Sequence, residues 1–372
     1  MVVNVITRHA PTNYGSLLQA IATQRVIMNL GYECRIINYI PKCETGVRMA
    51  ITQLEQKTKW RRNPIKKAIY LMVAEPETLL MDRKFLAMRK KYLLMGPRCA
   101  TTGELKKLYA EKKDEVFLTG SDLGPISTGH YDPTYFLDFA PKSSRKLAFA
   151  ASFGKAIFDE QTLKEYGVLL KKYDSLAVRE NVAVELLKKM DISAKQVLDP
   201  TLLMDADAWS EYVKPMKKPE KYVLVYQIHA NSDLDHYAVK FAEKAELPLL
   251  RVSPLLHQAK RSGKFVYCPD ISGFLDLVKN AAYMVTDSFH GTAFAINFNT
   301  QFVEVLPNTG TSSRNQSILE LTGLTDRIVR DLNDFSYIDQ EIDFKEANEK
   351  IGTSRIESIR ILEEMLAEQI GI

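Results

Sequence analysis

No run of apolar residues in this sequence approaches the ~20 that a bilayer-spanning helix needs, so it offers no stretch that reads as one. Cysteine is sparse as well: Cys34, Cys43, Cys99 and Cys268 stand far apart. They lack the paired spacing of a zinc site, and isolated cysteines of this kind suit reduced thiols in the cytoplasm. No group of His, Cys, Asp and Glu has coordination-type spacing, so no metal is expected. A G-x-G-x-x-G is missing, which argues against a dinucleotide. Charge of one sign is missing too. A net +4 over 372 residues gives no support to wholesale nucleic-acid binding. There is neither an internal repeat nor a low-complexity segment.

What is present is the composition of a globular protein with sizeable cores, 46% hydrophobic and 26% charged. At about 100–200 residues per domain, the length predicts two domains. Val2–Thr7 reads as a first strand and not as the apolar region of a signal peptide, so a cytoplasmic location is expected. Arg8–Gly15 follows as a polar loop, Ser16–Leu30 as an amphipathic helix stopped by Gly31, and Cys34–Tyr39 as the next strand. This is a βαβ unit. Thr101-Thr102-Gly103-Glu104 has the form of a capping box opening a helix that ends near Lys113. Strands are predicted at Val116–Thr119, Tyr135–Phe139, Leu147–Ala151, Leu176–Arg179 and Gln196–Leu198.

Val213–Lys221, with two prolines and four lysines, is the expected linker. Beyond it the alternation restarts, with strands at Tyr222–Gln227, Pro248–Val252, Ala281–Val285 and Gln301–Leu306. The pattern predicts an α/β protein of two Rossmann-like domains facing across a cleft. They cover residues 1–212, with a basic helical insertion at about 44–95, and residues 222–340. A last amphipathic helix, about Phe344–Gln369, lies within 341–372, with Ile351, Ile356, Ile359, Ile361, Leu362, Met365, Leu366 and Ile370 in an apolar stripe that must be buried.

Four loops are placed at the C-terminal ends of predicted strands, the edge where open α/β sheets bind ligands. They carry Asn13-Tyr14-Gly15, Gly120-Ser121-Asp122, Val178-Arg179-Glu180 and Ser288-Phe289-His290-Gly291. Together these supply a carboxylate, a guanidinium and an imidazole, enough to hold an anion and move a proton. His290 stands out. The strand ending at Val285 gives way to a small-residue helix predicted to start at Gly291 or Thr292, beside backbone N–H groups that favour anions. Its ring titrates near neutral pH. The plainer reading of each residue is local: His290 packing the turn, Asp122 closing an Asx turn, Arg179 pairing at the surface with Glu180 or Asp174, Asn13 and Gly15 opening a helix. Arg314, at the start of a helix predicted over Ser312–Gly323, could join that helix's N-terminus in holding an anion.

The succession of segments resembles the polysaccharide pyruvyl transferase family over nearly the whole chain. It runs through Asn13-Tyr14-Gly15-Ser16-Leu17-Leu18-Gln19-Ala20, Gly120-Ser121-Asp122, Ala148–Gly154 and Val178-Arg179-Glu180. It continues through Leu198-Asp199-Pro200-Thr201-Leu202-Leu203 and Thr286–Ala293. The resemblance implies a GT-B-like fold whose last helix crosses back to the N-terminal domain. It implies pyruvate transfer from phosphoenolpyruvate to a sugar of a cell-surface polysaccharide precursor, forming a ketal, with no cofactor. By position, His290 would be the general acid and Asp122 a carboxylate of the same pocket. Arg179 would bind the donor, aided by Ser288, Gly291, Arg314, Asn13, Gly120 and Ser121.

Two departures from the family pattern stand out. Many members have Arg-Leu-His-Gly where this chain has Ser288-Phe289-His290-Gly291. Many also follow Gly-Ser-Asp with Gln and a nearby Trp, where this chain has Leu123-Gly124-Pro125. A nucleotide-sugar glycosyltransferase and a catalytically lapsed glycan-binding protein are the rival readings. The expected partner is a sugar or lipid-linked glycan acceptor, without nucleic acid. The basic residues within 57–91 read either as a contact with an anionic membrane, at the inner face of the plasma membrane, or as a solvated flap.

Overall fold

The computed structural model describes every residue except 46–50, 53–63, 121, 125–127, 155–157, 307–312 and 368–372, and only the helical backbone of 64–75. The chain divides into two compact units, residues 1–203 with 357–372, and residues 204–356.

In the first unit, β1 (Val2–Ile6), β2 (Glu33–Ile36), β3 (Val116–Gly120), β4 (Lys146–Ala151), β5 (Ser175–Val178) and β6 (Lys195–Gln196) form a parallel sheet. Its order is β2-β1-β3-β4-β5-β6. The chain leaves β1 to build β2 on one side, then returns to build β3 on the other. That reversal opens a crevice at the C-terminal ends of β1 and β3. Helix α1 (Tyr14–Asn29) starts two residues before the predicted Ser16, because Asn13 caps it by accepting from Gly15 N (2.7 Å) and Ser16 N (3.4 Å). Helix α2 (Pro64–Tyr92) occupies the basic insertion, whose residues Lys57–Arg62 lie outside the described residues. The predicted capping box opens α3 (Thr102–Tyr109): Thr101 Oγ1 accepts from Glu104 N, and Glu104 accepts from Ala100 N. Helices α4 (Glu160–Leu170), α5 (Asn181–Lys188) and α6 (Pro200–Leu203) complete the alternation.

One predicted strand is corrected. Tyr135–Phe139 is a short apolar run of the kind a buried strand has, but Pro133–Phe136 is a 3₁₀ turn capped by Asp132, and Leu137 has φ +58. Its aromatic rings are buried in the same core that a strand would have reached, beside Phe117, Tyr109 and Tyr166. A short apolar run signals burial correctly here and backbone shape wrongly.

The second unit has β7 (Val223–Tyr226), β8 (Leu249–Ser253), β9 (Lys264–Tyr267), β10 (Tyr283–Thr286) and β11 (Phe302–Glu304), all parallel, in the order β11-β10-β7-β8-β9. Here the reversal lies between β7 and β10. Edge strand β9, half-buried and led by a lysine, was not expected from the sequence. Helices α7 (Ala206–Ser210), α8 (Ser232–Lys244), α9 (Ile271–Lys279), α10 (Phe289–Asn297) and α11 (Ser313–Thr322) follow in chain order. The unit begins at Met204, so the Pro- and Lys-rich segment 213–221 lies inside it. That segment is tied down. Met216 N donates to Asp276 of α9 (2.8 Å), Lys218 pairs with the same carboxylate, and a Cβ on Gly273 would meet Met216 Sδ at 2.3 Å.

The last helix, α12 (Lys345–Ala367), begins in the second unit and ends in the first. On the first unit, Ser358 Oγ accepts from Leu198 N (3.0 Å), while Arg145 donates to the C-terminal carbonyls of Met365 and Leu366. Such a cation suits a helix C-terminus. Ile351, Ile361, Leu362, Met365 and Leu366 are buried as the stripe required, but Ile359 is only half-buried, Ile356 is 72% exposed, and Ile370 lies outside the described residues. None of the four cysteines is in a disulfide; Cys34, Cys99 and Cys268 are buried and Cys43 is half-buried. Burial pushes the Cys34 thiol up to about 12.

Candidate functional site

In the first unit, the loops after β1 and β3 meet at the crevice through charge. Arg8 donates to Glu44 Oε1 (2.8 Å) and to Asp122 Oδ2 (3.3 Å). Asp122 also closes its own turn, with Oδ1 accepting from Gly124 N at 2.9 Å. A Cβ on Gly124 would stand 2.6 Å from Phe153 O. The Leu123-Gly124 departure therefore has a local cause: this loop lies directly on the backbone after β4, where Leu123 N donates to Ser152 O (2.7 Å). Asp122 keeps 31% of its side chain exposed. Gly120 ends β3, and Ser121 lies outside the described residues. Asn13 spends its carbonyl on the α1 cap.

Arg179, just past β5, is no surface pair. Its side chain is 6% exposed and bound to the fully buried carboxylate of Asp199. Asp199 in turn accepts from Thr201 N (2.9 Å) and Thr201 Oγ1 (2.7 Å). Burial opposes the charge on Arg179, but Asp199, Glu180 and Asp122 outweigh it and raise its pKa. A buried guanidinium held in this way is a fixed positive charge within reach of Asp122. His9, in the loop after β1, is a different case. Burial pushes it down to about 4 even as Nδ1 bonds Thr7 O, so it stays neutral at physiological pH.

In the second unit, α10 starts at Phe289, not at Gly291 or Thr292. Ser288 is its N-cap, buried, with Oγ accepting from Gly291 N at 3.3 Å. The serine that replaces the family's arginine thus serves the helix itself. His290 falls in the first turn, half-buried, its ring edge-on to Phe289 at 5.1 Å between centroids. Gly291 has a packing reason to be glycine. A Cβ there would meet Thr286 Oγ1 at 2.5 Å, Met284 Cε at 3.0 Å and Tyr226 Cδ1 at 3.1 Å. Without a side chain at that position the helix can lie directly on β7 and β10, which fixes the depth of His290.

Asp287, the residue after β10, is fully buried and gathers donors from the loop after β7: Ile228 N (2.8 Å), His229 N (3.1 Å) and His229 Nδ1 (3.3 Å). Beneath α10, Glu304 at the end of β11 is buried as well. Thr292 of α10 donates to Oε2 (3.2 Å), and Asn315 of α11 donates to Oε1. Burial pushes this carboxyl up to about 8, with Asp287 adding to the effect against the Thr292 bond. Arg314 stands next to Asn315 in the first turn of α11, half-buried.

The structure thus places Asp122 and Arg179 in electrostatic contact in one unit, and Ser288, His290 and Gly291 on one helix start in the other. Sequence reasoning missed Arg8, His229, Asp287 and Glu304. The available signal was the strand order, since Arg8 and His229 sit in loops bordering the two crevices.

A family model for polysaccharide pyruvyl transferase matches residues 13–309. The chain belongs to that family. None of the curated proteins compared with it matches. Among solved structures, UDP-GlcNAc 2-epimerase from Methanocaldococcus jannaschii is similar with TM-score 0.56 at 14% identity, over 98% of this chain and 100% of that one. Arabidopsis thaliana UGT89C1, complexed with UDP-L-rhamnose, is similar with TM-score 0.52 at 8% identity, over 98% of each chain. At such identities the likeness carries the fold alone, which is the GT-B-like α/β fold the resemblance implied. Among the described residues, no helix of this polysaccharide pyruvyl transferase family member is long and apolar enough to cross a membrane.

Proposed function

We propose that this protein transfers pyruvate from phosphoenolpyruvate to a sugar in a cell-surface polysaccharide precursor, closing a ketal on two hydroxyls. The carrying observation is His290, a titratable ring in the first turn of α10 at the crevice between β7 and β10, in a chain of this family. A proton from His290 to the methylene carbon of the donor leaves an oxocarbenium-like C2. One hydroxyl oxygen attacks C2 and loses its proton. The C2–O bond to phosphate then breaks with its electron pair, and the second hydroxyl closes the ketal while its proton passes to His290, which restores the acid. The donor is strongly anionic. Helix N-terminal dipoles and buried guanidinium groups such as Arg179, with Arg8 and Arg314, are the groups suited to it.

Delivery of a lipid-linked acceptor would suit α2. Leu79, Arg83, Leu86 and Lys90 fall on one exposed stripe of that helix, a mixed apolar and basic face fitted to an anionic membrane surface.

The test is the mass of a candidate glycan after incubation with phosphoenolpyruvate, since each ketal adds a fixed mass, together with phosphate release. His290→Gln should cut turnover by ~10²-fold or more while leaving donor affinity nearly intact. Near-normal turnover in that variant would refute the role of His290. Tight binding of a UDP- or GDP-sugar without phosphate release would favour a glycosyltransferase. Neither signal would leave a glycan-binding protein.

A further inference from the structure

Pyruvyl transfer to a hydroxyl needs two proton movements of opposite sense, one onto carbon and one off oxygen. His290 answers only the first. On the other side of the same crevice, in the loop after β7, His229 has the geometry for the second. Its Nδ1 lies 3.3 Å from the carboxylate of Asp287, which is fully buried, while the ring is 31% exposed. A buried carboxylate behind Nδ1 fixes the Nδ1–H tautomer and leaves the Nε2 lone pair for a ligand.

The loop is held on both sides. Asp287 also accepts from the backbone of Ile228 and His229. Gln227 donates to Asn231 O (2.8 Å) and accepts from the buried Arg251 (3.0 Å). Asn231 then caps α8. His229 is therefore a preset group, its ring direction determined before any ligand arrives.

We propose that His229 is the proton acceptor for the attacking acceptor hydroxyl, with Asp287 as its positioning residue. In this step the hydroxyl O–H bond breaks as the oxygen forms its bond to C2, and the proton goes to Nε2 of His229. In this scheme His290 gives a proton to carbon and His229 takes one from oxygen. The imidazolium formed at His229 is stabilised by Asp287, and it returns its proton to the departing phosphate.

This role presupposes pyruvyl transfer from phosphoenolpyruvate, so two independent readouts are needed. The first is ¹⁵N NMR of the histidine rings in the intact protein. His229 is expected as the Nδ1–H tautomer, with its Nε2 resonance moving when phosphoenolpyruvate or inorganic phosphate is added. Asp287→Asn is expected to turn it into a tautomer mixture. The second is kinetics. His229→Gln and His229→Asn should both lose ~10²-fold or more in kcat while donor KM changes little, with circular dichroism unchanged. An Nε2–H tautomer, a ring indifferent to both anions, or either variant retaining a third or more of kcat overturns the assignment. If the wild-type protein makes no product from phosphoenolpyruvate, the pyruvyl reading fails separately. The NMR result alone then decides whether His229 is an Asp-held base in a ligand site.

Discussion

Glu304 ties the stability of the second unit to pH in a direction opposite to most carboxylates. Burial favours its neutral form, lifting its pKa in the folded state to about 8 from an ordinary 4.5. The folded chain therefore binds this proton more tightly than the unfolded chain. Its contribution to stability is complete below about pH 4.5 and is lost as pH rises toward 8. The slope is about 1.36 kcal/mol per pH unit, so about 3 kcal/mol disappears between pH 5 and 7.5. Glutamine cannot ionise and keeps the shape. Its carbonyl can accept from Asn315 and its amide can donate to Thr292 Oγ1. Glu304→Gln should therefore match the wild type near pH 5 within about 1 kcal/mol and exceed it by about 3 kcal/mol near pH 7.5. Urea unfolding at several pH values, followed through the buried Trp209 of the same unit, measures the difference. Other titrations cancel between the two proteins. Parallel curves across that pH range would refute the reasoning.

Gly291→Ala should cost about 1–3 kcal/mol by overpacking α10 against Thr286, Met284 and Tyr226, and should lower turnover by lifting His290; an unchanged melting temperature counts against the close approach. Arg179→Ala should cost about 3–5 kcal/mol, because it strands the buried Asp199. Arg179→Lys should keep the charge, lose the fork, and raise donor KM more than acceptor KM; equal effects on both would assign Arg179 to structure alone. Arg314→Ala should weaken donor binding if that side chain makes up for the arginine absent at Ser288, and calorimetric titration with phosphoenolpyruvate showing wild-type affinity would end that idea.

The two βα-alternating halves were legible because strand and helix periods differ and because Asn13, Thr101 and Gly31 punctuate them in recognisable ways. Tyr135–Phe139 departs from its expected strand because a 3₁₀ turn can bury a short apolar run as well as a strand does. β9 escaped because an edge strand led by a lysine lacks the buried pattern. At the site, His290 and Arg179 were visible as residue types at strand ends, and the Ser288 substitution was visible as an absence. What Ser288 does instead was not, since a cap depends on where the helix starts, and that start, Phe289, lies two or three residues before the predicted one. Partners from distant loops were least visible. Arg8 meets Asp122 across 114 residues and His229 meets Asp287 across 58, distances at which only the order of strands can bring them together.

Cys43 stands one residue before Glu44, the carboxylate that shares Arg8 with Asp122, and it is the half-buried one of four cysteines outside any disulfide. Cys34 is protected by burial and a raised pKa, and Cys99 and Cys268 are buried. The native chain thus carries its own attachment point for a thiol-reactive fluorophore beside the first unit's crevice. Ligand arrival at Arg8 should be readable as a change in emission or in alkylation rate, without engineering a cysteine-free background.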